Sequence, residues 1–182
     1  MVEKEGTRGV SALKIIIYIA VSFLLAVFQT TVAHRVALFG ATPQLTLSLT
    51  CAAAYFYGPV CGGAVGLISG VFTEALGGTG ISVLPLLYFL VGWFCGMLTR
   101  RSHAQRSLGF FGFITALAAV CGAGAVITVI CLMLSAGKAN ILTGFLHIAL
   151  PEIPNTFLYG LPIGAVHFMI DRIRSKKTED HI

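Results

Sequence analysis

The sequence predicts an all-α integral membrane protein built as a bundle of six transmembrane helices, and three observations predict it. Of 182 residues, 57% are hydrophobic and only 10% charged, with a mean hydropathy of +0.91. A water-soluble domain carries about 25% charged residues and could not hide this much apolar surface from water. Six uncharged or nearly uncharged stretches approach or exceed the ~20 residues that cross a hydrocarbon core. Lysine and arginine gather in three segments that six crossings place on one side of the bilayer. The same composition excludes disorder, which needs low hydrophobicity and high charge. The apolar runs are unbroken rather than alternating, which argues against a β-barrel.

The chain reads as a single membrane domain over 1–182, with spans at about 13–33, 40–57, 60–76, 81–99, 108–134 and 154–173. The first apolar run, about 20 residues, exceeds the ~7–15 of a signal-peptide core and is taken as a span. Gly58-Pro59 separates the second span from the third, because proline disfavours helix for the residue before it. Gly77-Gly78 ends the third. The fifth run is longer than a crossing needs, so its helix tilts or projects into water. The sixth is interrupted by Pro151, Glu152 and Pro154, and its crossing is expected to begin at Pro154 after a short interfacial segment.

Orientation follows from the basic residues. Lys4, Arg8 and Lys14 precede span one, and Arg100, Arg101 and Arg106 lie between spans four and five. Arg172, Arg174, Lys176 and Lys177 follow span six. These are ten of the twelve Lys and Arg, leaving Arg35 and Lys138 for the other side. Six spans put both termini in the cytoplasm and the chain in the cytoplasmic (inner) membrane. The net charge of +5 is then a signature of topology and needs no nucleic acid.

Groups that carry chemistry are sparse. Cys51, Cys61, Cys95, Cys121 and Cys131 all fall inside apolar runs without Cys-x-x-Cys spacing, and read as small packing residues. His34, His103, His147, His167 and His181 have no second ligand at helical spacing, so no metal site is expected. No nucleophile motif, phosphate loop or dinucleotide fingerprint occurs, so no catalytic residue and no cofactor is expected. An intramembrane enzyme acting on lipids would have only Glu74, Glu152 and His147 to work with.

Two patterns stand out. Gly62, Gly66 and Gly70 recur every four residues, and Glu74 continues their stripe; Gly92 with Gly96, and Gly160 with Gly164, repeat the device. Small residues at this spacing let helices approach closely in lipid. The stripe therefore serves either packing within the bundle or docking of a separate partner. The second pattern is polar: Gln29, Gln44, Glu152 and Asn155 lie nearest the outer ends of spans one, two and six. They form either a shared outward-facing patch or separate caps meeting water. An acid inside a span marks a functional site by default, whereas one at headgroup level is solvated at little cost. Glu74 and Glu152 admit both readings.

The order of these features resembles the rod shape-determining protein MreD family. Phe28-Gln29-Thr30-Thr31 is similar to the family's Leu-Gln-Thr/Ser segment, and Gly40-Ala-Thr-Pro43-Gln44-Leu45 to its Gly-x-x-Pro-Asp-Leu. Tyr57-Gly58-Pro59 then leads into Gly66-Leu-Ile-Ser-Gly70-Val-Phe-Thr-Glu74, where the family usually shows Gly-x-x-x-Gly-x-x-x-Asp. Leu150-Pro151-Glu152 followed by Asn155 is similar to its Leu-Pro-x-x-x-x-Asn/Thr stretch. Gln44 and Glu74 stand where the family usually has Asp.

The resemblance implies a non-enzymatic scaffold of the cell-elongation complex, maintaining rod shape through side-wall peptidoglycan synthesis. Its implied partners are an MreC-like membrane protein, a glycan polymerase with its transpeptidase, and the MreB filament, reached indirectly because little of the chain is cytoplasmic. The six-helix fold it implies is similar to the substrate-binding subunits of energy-coupling-factor vitamin transporters, which supplies an alternative function. Those subunits commonly carry Ala-x-x-x-Ala in span one, whereas Ala12, Ala20, Ala26 and Ala33 are never four apart.

Overall fold

A computed structural model describes residues 12–32, 42–77, 83–101, 109–136, 146 and 149–179. Among these there is no strand. The helices run in the order α1 (Ala12–Thr31), α2 (Leu45–Tyr57), α3 (Pro59–Gly77), α4 (Leu84–Arg101), α5 (Phe110–Ala136) and α6 (Leu150–Glu179). Three contain segments long and apolar enough to cross a membrane: Pro59–Gly77, Phe110–Cys131 and Leu150–Ile170. Shorter apolar segments occupy Ile16–Thr31, Leu45–Tyr57 and Leu84–Thr99. Lys4, Arg8, Arg35, Arg106, Lys138, His34, His103, His147 and His181 lie outside the described residues, as do the side chains of Lys14, Arg100, Arg101 and the basic tail from Arg172.

At two of the expected spans the helix begins at a different residue from the crossing. Span two was expected over 40–57, but its helix has 13 residues, about 20 Å at helical rise, against a hydrocarbon core of ~30 Å. Thr42, Pro43 and Gln44 lead into it without helical structure, because Pro43 holds Thr42 out of the helical region. Span six does not wait for Pro154. Its helix is formed from Leu150, and Pro154 and Pro162 lie inside it. Pro151 falls in the first turn, where an N–H would have no helical partner, so it does not delay the start.

The short helix α2 is the axis of the fold. It packs against all five other helices, and every residue from Leu45 to Ala54 is buried. The other helices turn large apolar side chains outward, among them Ile16 and Leu24 on α1, Val60 on α3, Leu98 on α4, Phe111 on α5 and Met169 on α6. Thr46, Ser48 and Thr50 are instead fully buried on α2. An apolar exterior around a partly polar axis is the arrangement suited to lipid as solvent.

A single residue, Gly58, joins α2 to α3. Its φ of 90° is a left-handed conformation that a side chain would strain. Its N–H donates to the Ala54 carbonyl at 3.0 Å and its own carbonyl accepts from Gly62 N at 2.9 Å, so one glycine closes one helix and opens the next.

From there α3 returns along α2 and lies against α4 through the two glycine ridges. A Cβ on Gly62 would fall 2.7 Å from the Gly92 carbonyl oxygen and 2.5 Å from Ala54 Cβ. One on Gly66 would strike the Tyr88 backbone, one on Gly70 would lie 2.5 Å from Pro85 Cα, and one on Gly96 the same distance from Pro59 Cα. The glycines advancing along α3 thus meet successive turns of α4 in antiparallel register. The stripe is a packing seam inside this chain, and the docking alternative for Gly62, Gly66, Gly70, Gly92 and Gly96 has no free surface to use.

Cys51, Cys95 and Cys121 belong to the buried apolar core with Leu47, Tyr88, Phe113 and Leu117. The sulfurs of Cys51 and Cys95 sit 4.0 Å apart as free thiols.

Candidate functional site

The polar residues singled out in the sequence converge where α2 begins. The first amides of a helix have no partner within it, and here they are satisfied from other helices. The backbone N–H of Thr46 donates to Gln29 Oε1 of α1 at 3.3 Å, and the Thr46 hydroxyl donates to the same oxygen at 3.2 Å. The backbone N–H of Gln44 donates to Thr156 Oγ1 of α6 at 3.0 Å. The Thr46 and Thr73 hydroxyls meet at 3.2 Å, which brings in α3 one residue before Glu74.

Gln44 is the hub. Its amide nitrogen donates to Thr128 Oγ1 of α5 at 2.9 Å, and its amide oxygen accepts from the Tyr88 hydroxyl of α4 at 3.2 Å. The Thr128 hydroxyl in turn donates to Glu152 Oε2 at 2.8 Å. The Glu152 carboxyl also has the Gln44 side chain as a hydrogen-bonding neighbour. Glu152 is only 5% exposed and Asn155, one turn on, 1%. Glu152 is therefore inside the protein rather than solvated. Among the described residues every buried side-chain nitrogen and oxygen has a hydrogen-bond partner.

This geometry gives a physical reason for the amide at position 44. An aspartate could accept from Tyr88 but could not donate to Thr128, and it would set a second carboxylate near Glu152. The acid itself sits in the first turn of α6, beside the N-cap of α2. Both helix ends carry partial positive charge, which substitutes for a cation in the immediate surroundings of the carboxyl.

Glu74 lies apart from this chain of contacts. It is half-buried near the end of α3, between exposed Val71 and Leu76. Gly160 and Gly164 serve α6: a Cβ on Gly160 would sit 2.8 Å from Ser48 Oγ, and one on Gly164 would strike the Phe113 ring.

A second cluster at the opposite end of α2 escaped the sequence. His167 Nδ1 donates to the Ile163 carbonyl at 2.9 Å, and its Nε2 faces the Tyr18 hydroxyl at 2.9 Å. The imidazole stacks on Phe56 at 6.0 Å and 16°, and Tyr57 meets the Tyr18 ring edge-on. The partners are 149 residues apart in sequence, so only tertiary packing could reveal them. Among the described residues no group of three or more His, Cys, Asp or Glu is placed to hold a metal ion.

The chain matches no family model, and searches of curated proteins and of solved structures also find no match.

Proposed function

We propose that this chain is a six-span scaffold of the cytoplasmic membrane, similar to MreD, that helps organise side-wall peptidoglycan synthesis with an MreC-like partner. One observation carries the proposal. Of the residues that bear the resemblance, the polar ones, Gln29, Gln44, Glu152 and Asn155, are scattered through the sequence yet belong to one region around the start of α2. A shared motif order is what a common site of this kind would preserve.

Six crossings accommodate the short α2, because non-helical backbone is tolerated at membrane depth when protein surrounds it, and Pro43 is buried. In this topology the Gln44 end faces outward, the His167 end lies toward the cytoplasm, and both termini are cytoplasmic. The scaffold is non-enzymatic: its acid is hydrogen-bonded into the fold rather than presented to a substrate. The glycan-polymerising and cross-linking enzymes of the wall, and the MreB filament, are reached through the partner.

With the glycine seam internal, partner docking falls to the outer end of α3. Glu74 there would receive a basic group from the partner's juxtamembrane segment, flanked by Val71 and Leu76. Affinity purification in mild detergent followed by mass spectrometry tests the function. Recovery of an MreC-like protein and wall-synthesis enzymes supports it. Recovery of an ATP-hydrolysing module with a bound vitamin would replace it with the transporter alternative.

A further inference from the structure

We propose that Cys51 of α2 and Cys95 of α4 form a reversible redox staple: two thiols that a lipid-dissolved quinone oxidises to a disulfide, tying the axis of the bundle covalently to the α3–α4 hairpin. The inference rests on the packing of α2 against α4 and is independent of the wall-synthesis reading.

Three observations carry it. The first is proximity. The two sulfurs lie 4.0 Å apart although the residues are 44 apart in sequence. Both are free thiols. A disulfide bond is ~2.05 Å long, which leaves about 2 Å to be closed by rotation of the two side chains about their Cα–Cβ bonds.

The second is register. Helices α2 and α4 run in the same direction, and the contacts between them advance in step. The Tyr88 hydroxyl donates to Gln44 Oε1 at 3.2 Å, a Cβ on Gly92 would fall 2.9 Å from Thr50 Cγ2, and Cys95 then meets Cys51. Gly92 has no side chain to hold the backbones apart, and Cys95 follows it by three residues on the same helix face. The crossing of two packed helices, rather than one rotamer, sets the thiol pair.

The third is enclosure. Cys51 is 0% exposed and Cys95 7%, in a core shared with Cys121, Leu47 and Phe113. Charged or strongly hydrated oxidants are costly to bring into such a place, which restricts the oxidant to an uncharged molecule dissolved in the lipid. Cys95 is the nearer member, because Phe94, Met97 and Leu98 beside it turn outward. A quinone meets this requirement and balances the step. Two S–H bonds break and one S–S bond forms, and the two electrons and two protons released reduce the quinone to its quinol. A dithiol reductant reverses the step by exchange. With the bond closed, α4 cannot leave α2 at this turn; with it open, packing alone holds them.

Treatment of the full chain in lipid nanodiscs with a tetramethyl-substituted benzoquinone, under exclusion of oxygen, tests the proposal. Mass spectrometry should find the loss of two hydrogens, and peptide mapping should place the link between Cys51 and Cys95. The midpoint of chemical denaturation should rise and return to its starting value after dithiothreitol. Cys51→Ala should lose both the link and the shift, and Cys61→Ala should keep both. Absence of a link in the unaltered chain overturns the staple. So does a link from either cysteine to Cys121, a link that forms only in denaturant, or one that leaves the midpoint where it was.

Discussion

Two helix hairpins flank α2, and they cohere by opposite means. In α3–α4 the backbones touch: a Cβ on Gly92 would strike the Gly62 carbonyl, and Gly66, Gly70 and Gly96 are equally closed to a side chain. In α5–α6 the backbones are held farther apart by Phe113 and Leu117, and the attachment to α2 at one end is a chain of side-chain hydrogen bonds. The contrast teaches where each hairpin is vulnerable. Lipid supplies no hydrophobic drive between helices, so close van der Waals packing holds one seam. The other depends on polar groups that are costly in hydrocarbon unless partnered.

The contrast breaks most severely at the seam. Gly66→Leu forces a branched side chain into the Tyr88 backbone, which has no flexible end to yield. Overpacking an ordinary core costs about 1–3 kcal/mol, and a collision with backbone belongs above that range. Loss of monodisperse, cooperatively unfolding protein in detergent is the expected result. Normal unfolding of Gly66→Leu would mean that α3 and α4 are not in contact at Tyr88.

Next comes the polar hub. Gln44→Leu strips the acceptor from Tyr88 and the donor from Thr128 together, and an unsatisfied buried polar group costs about 1–3 kcal/mol. Glu152→Leu has the same character, because Thr128 then donates to nothing. Glu152→Gln keeps an oxygen for Thr128 and should recover most of the loss. Chemical denaturation in mixed micelles distinguishes these, and equal effects of the leucine and glutamine variants would deny the Thr128 bond its role.

The two hairpins were also unequally visible in the sequence. Spans one, three, four and five were expected within a few residues of their helices, because Gly58-Pro59 and Gly77-Gly78 are strong punctuation and the runs are uniformly apolar. Prolines misled in α6, where Pro151 and Pro154 suggested a later start. A proline in the first turn and one just beyond it read alike in sequence but differ in which hydrogen bond they remove. Glycine spacing showed that α3 has a smooth face. It could not show what that face touches, which depends on α4 returning in register with it. Each polar residue was identified one by one, but their convergence depends on α1, α5 and α6 meeting α2. Tyr18 carried no mark, and His167 was noted only for lacking a second ligand, since neither lies in a local pattern.

Partner binding sharpens the same contrast on the outside of the seam. Glu74→Gln alters a half-buried side chain beyond the last seam glycine, so folding should be unaffected. Co-purification of an MreC-like partner should fall several-fold, an effect of about 1 kcal/mol for losing one charged hydrogen bond at a rim. Full retention of the partner would move the docking surface away from α3.

The smallest effects belong to the far end of α5–α6 and to its open glycine. Tyr18→Phe removes the hydroxyl facing His167 Nε2 while leaving the ring between Tyr57 and the imidazole. Its cost should be about 0.5–1.5 kcal/mol, the net worth of one such hydrogen bond. Gly122→Ala should move stability in the other direction. A Cβ there meets nothing within 4 Å, and alanine restricts the unfolded chain by about 0.4–1 kcal/mol relative to glycine. The same methyl substitution at Gly92 would collide with the Gly62 carbonyl. Measuring Gly122→Ala and Gly92→Ala side by side therefore asks one question of both hairpins: opposite signs follow from a closed seam and an open helix face, and like signs would erase the distinction between them.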